Sequence, residues 1–182
     1  AINDGGDATT ATTENLRTTS RWQQIVGPDF LRHAFTFARE ADPTVPLHYN
    51  DYSIESGFKH QSSLVLLKRL IDSGAPITTV GIQGHWQMEF PKPQMVNDAI
   101  NAFAALGVKI MITELDIDVL PRKSTGADIS ATEKQGLDPY KDKLPADMQQ
   151  KLAKRYGELF KVFVKHRGTS LTRAKCPIRK TF

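Results

Sequence analysis

Short apolar runs alternate along this chain with longer stretches in which apolar residues recur at helical spacing. Phe30, Leu31, Ala34 and Phe35, for example, share one helical face. The pattern predicts helices over residues 30–38, 64–71, 93–104 and 148–165 and strands over residues 47–50, 79–83 and 109–115. Since strands separated by helices are typical of βα units, we expect an α/β fold with a parallel sheet.

The segments between these elements add detail to the prediction. Gly74 is placed to end the helix over residues 64–71 with a positive φ. The continuous apolar run over residues 110–112 predicts a strand covered on both faces. Residues 1–29 are predicted to be loop. The polar segment over residues 118–145 is much longer than an ordinary βα connection, and loops of that length usually have a function.

The composition is that of one ordinary globular domain. With 182 residues, of which 40% are hydrophobic, the chain is long enough to bury a core. The longest apolar stretch, over residues 99–112, is broken by Asn101, Gly107 and Lys109. We therefore expect no membrane span.

The net charge of +4 originates at one end of the chain. Residues 161–182 contain seven basic residues and no acidic ones, which leaves 17 basic and 20 acidic residues in the remainder. Such a tail lacks the interleaved basic and aromatic residues of a nucleic-acid surface, so no nucleic-acid partner is expected. Cys176 is the only cysteine, which argues against an internal disulfide or a cysteine-rich metal site.

Polar residues collect where the three predicted strands end. They are Asn50 and Asp51 on the first strand, Gln83 and His85 on the second, and Glu114 and Asp116 on the third. The carboxyl ends of parallel strands meet at one edge of the sheet, where ligands bind in α/β folds. Glu114 directly follows an apolar strand, where a charge is costly without a partner or a purpose. Asp116 lies two residues further on and should point to the same side, so His85 could bridge the two carboxylates.

Several of these residues also have a simpler interpretation. A strand-end aspartate such as Asp51 is often only a turn or a helix cap, and a lone histidine such as His85 is more often structural than functional. A different chemistry is also open, because Glu114, Asp116, Asp118 and His85 could ligate a divalent metal. A metal-dependent hydrolase is therefore a rival hypothesis.

Three strings of residues carry a family resemblance. They are His48-Tyr49-Asn50-Asp51-Tyr52, Gly81-Ile82-Gln83-Gly84-His85 and Ile112-Thr113-Glu114-Leu115-Asp116-Ile117. In this order and at these intervals they resemble the second half of a glycoside hydrolase family 10 xylanase, and the strings over residues 38–43 and 126–130 strengthen the match. The resemblance covers residues 1–167, which we interpret as part of the catalytic domain. Residues 168–182 then form an unpatterned basic tail.

The resemblance implies a fold, an activity and a set of roles. The fold is a (β/α)8 TIM barrel, of which this chain would hold about strands 5 to 7 with helices 4 to 7. The activity is cleavage of internal β-1,4 bonds of xylan with retention of configuration. Glu114 matches the nucleophile, His85 the histidine hydrogen-bonded to it, and Asp116 the carboxylate behind that histidine. The residues at substrate-binding positions are Asn50, Tyr52 and Gln83. The implied partner is xylan or a xylooligosaccharide, with no cofactor and no metal.

Two features depart from the family pattern. The family's acid/base glutamate directly precedes a string like the one over residues 1–4, so this chain begins one residue too late to include it. Glu14, Glu40 and Glu55 do not match that motif and are expected to be solvated side chains. At the other end, residues 169–182 lack the tryptophan and the apolar run of the family's eighth strand. The chain is thus expected to be a piece of a longer protein, inactive alone.

The leading hypothesis is therefore a fragment of an endo-1,4-β-xylanase. A carbohydrate-binding or catalytically dead fragment is the second hypothesis. The resemblance implies secretion of the full-length protein, although residues 1–20 carry no signal peptide. Barrel closure is expected to bury the apolar strand residues, so the chain alone should aggregate or self-associate. The residues concerned are Val80, Ile82, Ile110, Ile112 and Leu115.

Overall fold

The computed structural model describes residues 1–3, 13–120, 139–140, 142–168 and 170–171. Five helices and three strands follow one another along this part of the chain. They are α1 (Arg21–Val26), α2 (Phe30–Ala41), β1 (His48–Tyr52), α3 (Gly57–Asp72), β2 (Thr79–Gln87), α4 (Pro93–Ala104), β3 (Lys109–Asp118) and α5 (Ala146–Lys165). Every helix and strand predicted from the periodicity is present, and Gly74 has the expected positive φ, at 82°.

The three strands form one parallel sheet in the order β1-β2-β3. The pairing of β2 with β3 changes register between Ile82 and Gln83, which pair with Ile112 and Glu114. Thr113 is therefore the extra residue of a β-bulge in β3. The ladder continues beyond the bulge to Asp118, so β2 and β3 extend further than their apolar runs predicted.

All the helices that form the core pack on one face of this sheet. Val80 and Ile82 of β2 and Ile110 and Ile112 of β3 are buried there, together with residues of α3, α4 and α5. The prediction that these strand residues become buried inside a closed barrel is therefore wrong, because all four side chains point to the face that packs against the helices. Leu115, the fifth residue of that prediction, also packs against this core. The prediction that residues 110–112 are covered on both faces is also wrong, since Met111 is only partly buried on the opposite face.

The structure also corrects the predicted start of the chain and the start of one helix. Residues 21–26 are helical, and Ile2 pairs with Leu16 in an isolated bridge, within the segment predicted to be loop. The helix predicted from residue 64 begins at Gly57, because its first turns bury polar residues such as Lys59 that hydrophobic periodicity does not detect. Among the described residues, no helix is long and apolar enough to cross a membrane.

The loop that follows β2 is anchored by a buried arginine. Arg155 of α5 is 4% exposed, and its guanidinium donates hydrogen bonds to the carbonyl oxygens of Gln87 and Pro91. Without this donor the two carbonyl groups would lack a partner, which is costly for buried groups. The side chain thus joins α5 to the end of the strand that carries His85.

We predict that Arg155→Met lowers the free energy of unfolding by about 2 kcal/mol, because two carbonyl acceptors lose their donor while the aliphatic packing is kept. Chemical denaturation monitored by circular dichroism measures the change. Lys154→Met, at the exposed neighbouring position, is the control and should change the free energy of unfolding by no more than about 0.5 kcal/mol. Equal midpoints for the two variants would contradict the anchoring role.

Candidate active site

A histidine bridges two carboxylates on the open face of the sheet. His85 Nε2 lies 2.8 Å from Glu114 Oε2, and His85 Nδ1 lies 2.6 Å from Asp116 Oδ2. The ladder explains the contact, because Gln83 pairs with Glu114 and His85 pairs with Asp116. The bridge expected from the sequence is therefore present.

The bulge at Thr113 decides which face these carboxylates occupy. Before the bulge, the side chains of Ile110 and Ile112 point to the helices. In a regular strand the Glu114 side chain would point the same way. The extra residue shifts the alternation by one, so that Glu114 and Asp116 are exposed on the open face. The bulge thus moves two charges from the packed face to the face that carries His85.

The hydrogen bonds also constrain the protons of this cluster. An ionised carboxylate only accepts hydrogen bonds, whereas a neutral imidazole has one donor and one acceptor nitrogen. His85 can satisfy ionised Glu114 and Asp116 together only when both of its ring nitrogens carry hydrogens. Two hydrogen bonds from the His85 ring therefore suit a pair of ionised carboxylates and hold Glu114 in a fixed position.

The cluster is a hydrogen-bonded triad, and its geometry does not suit a metal. Both ring nitrogens of His85 face carboxylate oxygens at hydrogen-bond distance, so neither offers a lone pair to a cation. Within the residues that the structure describes, no group of three or more His, Cys, Asp or Glu side chains could hold a metal ion. The metal-ligand interpretation of Glu114, Asp116, Asp118 and His85 is not favoured.

The open face continues across β2 to β1. Thr113 Oγ1 donates a hydrogen bond of 2.7 Å to Asn50 Oδ1. This bond passes over Gly81, where a Cβ atom would lie 2.5 Å from Asn50 Oδ1 and 2.8 Å from Thr113 Cγ2. Only glycine leaves room for it, and Asn50 is thereby fixed beside the triad.

The remaining predicted substrate-binding residues lie in one row with Glu114. Tyr52 pairs with Gln83 and Gln83 pairs with Glu114, on three neighbouring strands. Adjacent strands are about 4.8 Å apart, so the row extends about 10 Å across the sheet. The structure therefore brings together on one face the six residues to which the family resemblance gives a role, namely Asn50, Tyr52, Gln83, His85, Glu114 and Asp116.

Asp51, next to this row, points to the packed face and is buried. Its Oδ1 accepts a hydrogen bond of 3.0 Å from Lys59 Nζ, so Asp51 forms a buried ion pair rather than a turn or a helix cap. Lys59 was not found from the sequence because a buried helical lysine has the same sequence context as a solvated one. Thr113 could have been found, since it directly precedes Glu114.

Two of the three glutamates expected to be solvated are not. Glu55 is 4% exposed, and its Oε2 makes no hydrogen bond within the described part of the chain. Burial raises the pKa of Glu55 to about 7, an effect that Trp86, Lys59 and His85 only partly offset. Glu14 forms a partly buried ion pair with Arg69. Arg69 is 55 residues from Glu14 along the chain, so the local sequence pattern did not indicate this ion pair.

The sequence matches the family model of Glycosyl hydrolase family 10 over residues 2–175. A Beta-1,4-xylanase of Dictyoglomus thermophilum is 35% identical over 147 residues, which are 81% of this chain and 38% of the relative. An Endo-1,4-beta-xylanase of Geobacillus stearothermophilus is 36% identical over 148 residues, covering 81% and 41% respectively. The chain thus spans less than half the length of these relatives.

Solved structures give the same result. A GH10 endoxylanase retrieved from a sugarcane soil metagenome matches with a TM-score of 0.77 and 38% identity, over 92% of this chain and 47% of that one. Xylanase XynB from Paenibacillus barcinonensis matches with a TM-score of 0.72 and 31% identity, over 91% and 46%. The expected fold class is confirmed, since the three parallel strands and their helices are part of a (β/α)8 barrel.

We predict that Glu55 makes the stability of the chain depend on pH. Its pKa of about 7 lies above the unfolded value of 4.5, so the folded chain binds more protons between these values and its free energy of unfolding falls as pH rises. The loss should reach roughly 3 kcal/mol above pH 7.

Denaturation of the parent chain and of Glu55→Gln between pH 4.5 and 8 measures this effect. Glu55→Gln should remove the decline, while Glu40→Gln, at an exposed position, should retain it. A parallel pH dependence in the parent and Glu55→Gln would contradict the assignment.

Proposed function

Since the chain belongs to glycosyl hydrolase family 10, we propose that it carries the nucleophile side of an endo-1,4-β-xylanase active site, with Glu114 as the nucleophile. The observation that carries this proposal is the bridge from His85 to Glu114 and Asp116 on the open face of the sheet. It supplies a charged, oriented carboxylate where a substrate can reach it.

The proposed reaction proceeds by double displacement. A carboxylate oxygen of Glu114 attacks the anomeric carbon, the glycosidic C–O bond breaks through an oxocarbenium-like transition state, and the leaving oxygen takes a proton from an acid. Water then attacks the same carbon, releases Glu114 and gives its proton to that acid's conjugate base. Two inversions give net retention. His85 and Asp116 act by holding the charge and the position of Glu114.

The acid/base carboxyl of this reaction comes, in our proposal, from chain outside these 182 residues. A retaining site needs it about 5 to 5.5 Å from the nucleophile. Within the described residues, Asp116 is engaged by His85 and Glu55 is buried, so neither can act on a sugar. The matched relatives are more than twice as long as the aligned segment, which leaves ample chain to supply this group.

A role in carbohydrate binding alone is less well supported. Sugar binding requires hydrogen-bonding and aromatic side chains, which Asn50, Gln83 and Tyr52 supply on this face. It does not require two carboxylates held by one histidine, a costly cluster that a reaction with developing positive charge uses. We therefore favour hydrolysis.

The proposed substrate is xylan or a xylooligosaccharide. Matched structures include complexes of xylanase variants with xylotetraose and with xylotriose. In this chain Asn50, Tyr52 and Gln83 are the proposed sugar contacts, because they lie on the open face beside Glu114. Secretion of the full-length protein stays a prediction, since the matched structures include an intracellular xylanase.

The division of the chain at residue 168 is also a proposal. Ile110 N donates a hydrogen bond of 2.8 Å to Ser170 O, and Leu171 pairs in parallel with Ile110. The motif over residues 126–130 and most of the basic tail lie outside the described residues.

We predict that Glu114→Gln lowers kcat by at least about a thousandfold, or about 4 kcal/mol of transition-state stabilisation, because a neutral amide cannot form the covalent intermediate. The measurement is xylan hydrolysis by a completed barrel, in which residues 1–167 are joined to the N-terminal half and to the eighth strand and last helix of the Geobacillus stearothermophilus relative. Glu40→Gln, exposed on α2, is the control and should retain activity. Turnover of Glu114→Gln near that of the parent would disprove the assignment.

We predict that the 182-residue chain alone releases no reducing sugar from xylan and self-associates. The open face of its sheet is polar, and most of the exposed large apolar side chains of the described residues lie instead on helices. They include Trp22, Ile25, Phe37, Phe160 and Val164. Reducing-sugar assays and light scattering test this. A monodisperse monomer that hydrolyses xylan would show that both the missing carboxyl and the exposed surface have been misjudged.

A further inference from the structure

A buried lysine lies against the Tyr52 ring. Lys59, in the first turn of α3, is 5% exposed, and its Nζ atom lies 3.3 Å from the centre of that ring. The same ammonium lies 3.0 Å from Asp51 Oδ1. Lys59 therefore contributes to an ion pair and to a cation–π contact from a single position.

The partner of this lysine is fixed by its own strand. Asp51 Oδ2 accepts a hydrogen bond of 3.0 Å from the Tyr49 hydroxyl, and Asp51 Oδ1 accepts one of 2.9 Å from the backbone N–H of Tyr52. Burial and the adjacent Asp51 charge raise the pKa of Tyr49, so its hydroxyl stays a donor. The carboxylate is thus locked by β1, and the ammonium is locked by the carboxylate.

In the part of the chain that the structure describes, three other charged groups lie near the pair. The amino terminus of Ala1 lies 3.7 Å from Asp51 Oδ2, and in the completed barrel this nitrogen becomes a neutral peptide N–H. Glu55, on the loop between β1 and α3, contributes a weak attraction to Lys59. Arg17 Nη2 lies 3.5 Å from the Tyr52 hydroxyl, on the far end of the ring. Tyr52 is therefore held at its backbone, at one ring face and at its hydroxyl.

A buried ion pair is a poor way to stabilise a fold, because well-packed apolar residues of similar volume often serve as well. What Asp51 does supply is a fixed position for the Lys59 ammonium. The ammonium in turn fixes the orientation of the Tyr52 ring. A flexible aromatic side chain would have to be ordered when a ligand binds, which lowers affinity. A ring ordered in advance avoids that cost.

We propose that the Asp51–Lys59 pair is a positioning device that holds the Tyr52 ring as a rigid platform for a pyranose unit of the substrate. This inference rests on the proposed function, in which Tyr52 contacts the sugar. Tyr52 lies in one row with Gln83 and Glu114, so a sugar on the platform is bound close to the bond that Glu114 attacks. Asp51 and Lys59 act through Tyr52 and do not touch the substrate.

The test removes both charges together, because removing one would leave the other buried and unpaired. In D51N/K59M, the amide oxygen keeps the hydrogen bond from the Tyr52 N–H, the amide NH2 group donates to the Tyr49 hydroxyl oxygen, and the cation is lost. D51N/K59L offers a second way to pack the same space. K68M/D72N is the matched control, since Lys68 and Asp72 form an exposed ion pair of 2.7 Å on the same helix.

Kinetics on xylohexaose in the completed barrel separate the outcomes. We expect KM to rise about 3- to 10-fold with kcat within twofold in whichever Asp51/Lys59 variant folds, because ordering the ring then opposes binding. The control should match the parent. In a Tyr52→Ala background the charge removal should have no further effect on KM, since the platform is already absent.

Two results would overturn the inference, and they can be told apart. If Tyr52→Ala raises KM but removal of the pair does not, Tyr52 binds sugar without the help of Lys59. If Tyr52→Ala leaves KM unchanged, the proposed sugar contact is itself wrong. A rise in KM that persists in the Tyr52→Ala background would show that the pair acts elsewhere.

Discussion

The geometry of the site depends on one extra residue in a strand. A β-strand directs successive side chains to opposite faces, and in this sheet one face is packed against helices. The bulge at Thr113 reverses that alternation within β3, so the apolar residues before it face the core and the carboxylates after it face outward. Without it, Glu114 and Asp116 would be directed into the apolar core, where charges are costly. The triad with His85 is a consequence of this change in phase.

The same division into a packed face and an open face explains where the half-barrel buries its apolar residues and where it exposes its polar ones. Its core consists of strand residues such as Val80 and Ile112 together with the inner faces of α3, α4 and α5. The open face carries amide, imidazole and carboxylate groups that water can solvate. What further strands would add is a second wall for the cleft. This division also fits a chain that matches less than half of its relatives and still superposes on them closely.

Behind the polar row lie three buried ionisable side chains. Asp51 and Lys59 form an ion pair at the end of β1, and Glu55 is buried close by, with Trp86 beside it. These groups are too buried to meet a substrate, yet they surround the residues proposed to do so. Tyr52 is held from behind by Lys59, much as Glu114 is held from the side by His85. In both places a side chain proposed to meet the sugar is oriented by a charged neighbour.

The sequence by itself determined the order of helices and strands from α2 onward, the parallel sheet, the family and the six residues of the open face. Those features are local, because helical period, apolar runs and the spacing of short motifs do not depend on distant contacts. Tertiary structure alone decided the rest. Which face of β2 and β3 is covered, and that Glu55 and Lys59 are buried, depends on how α3 and α4 pack across the sheet. A polar side chain has the same sequence signature whether it meets water or a buried partner, so only the packed chain distinguishes the two.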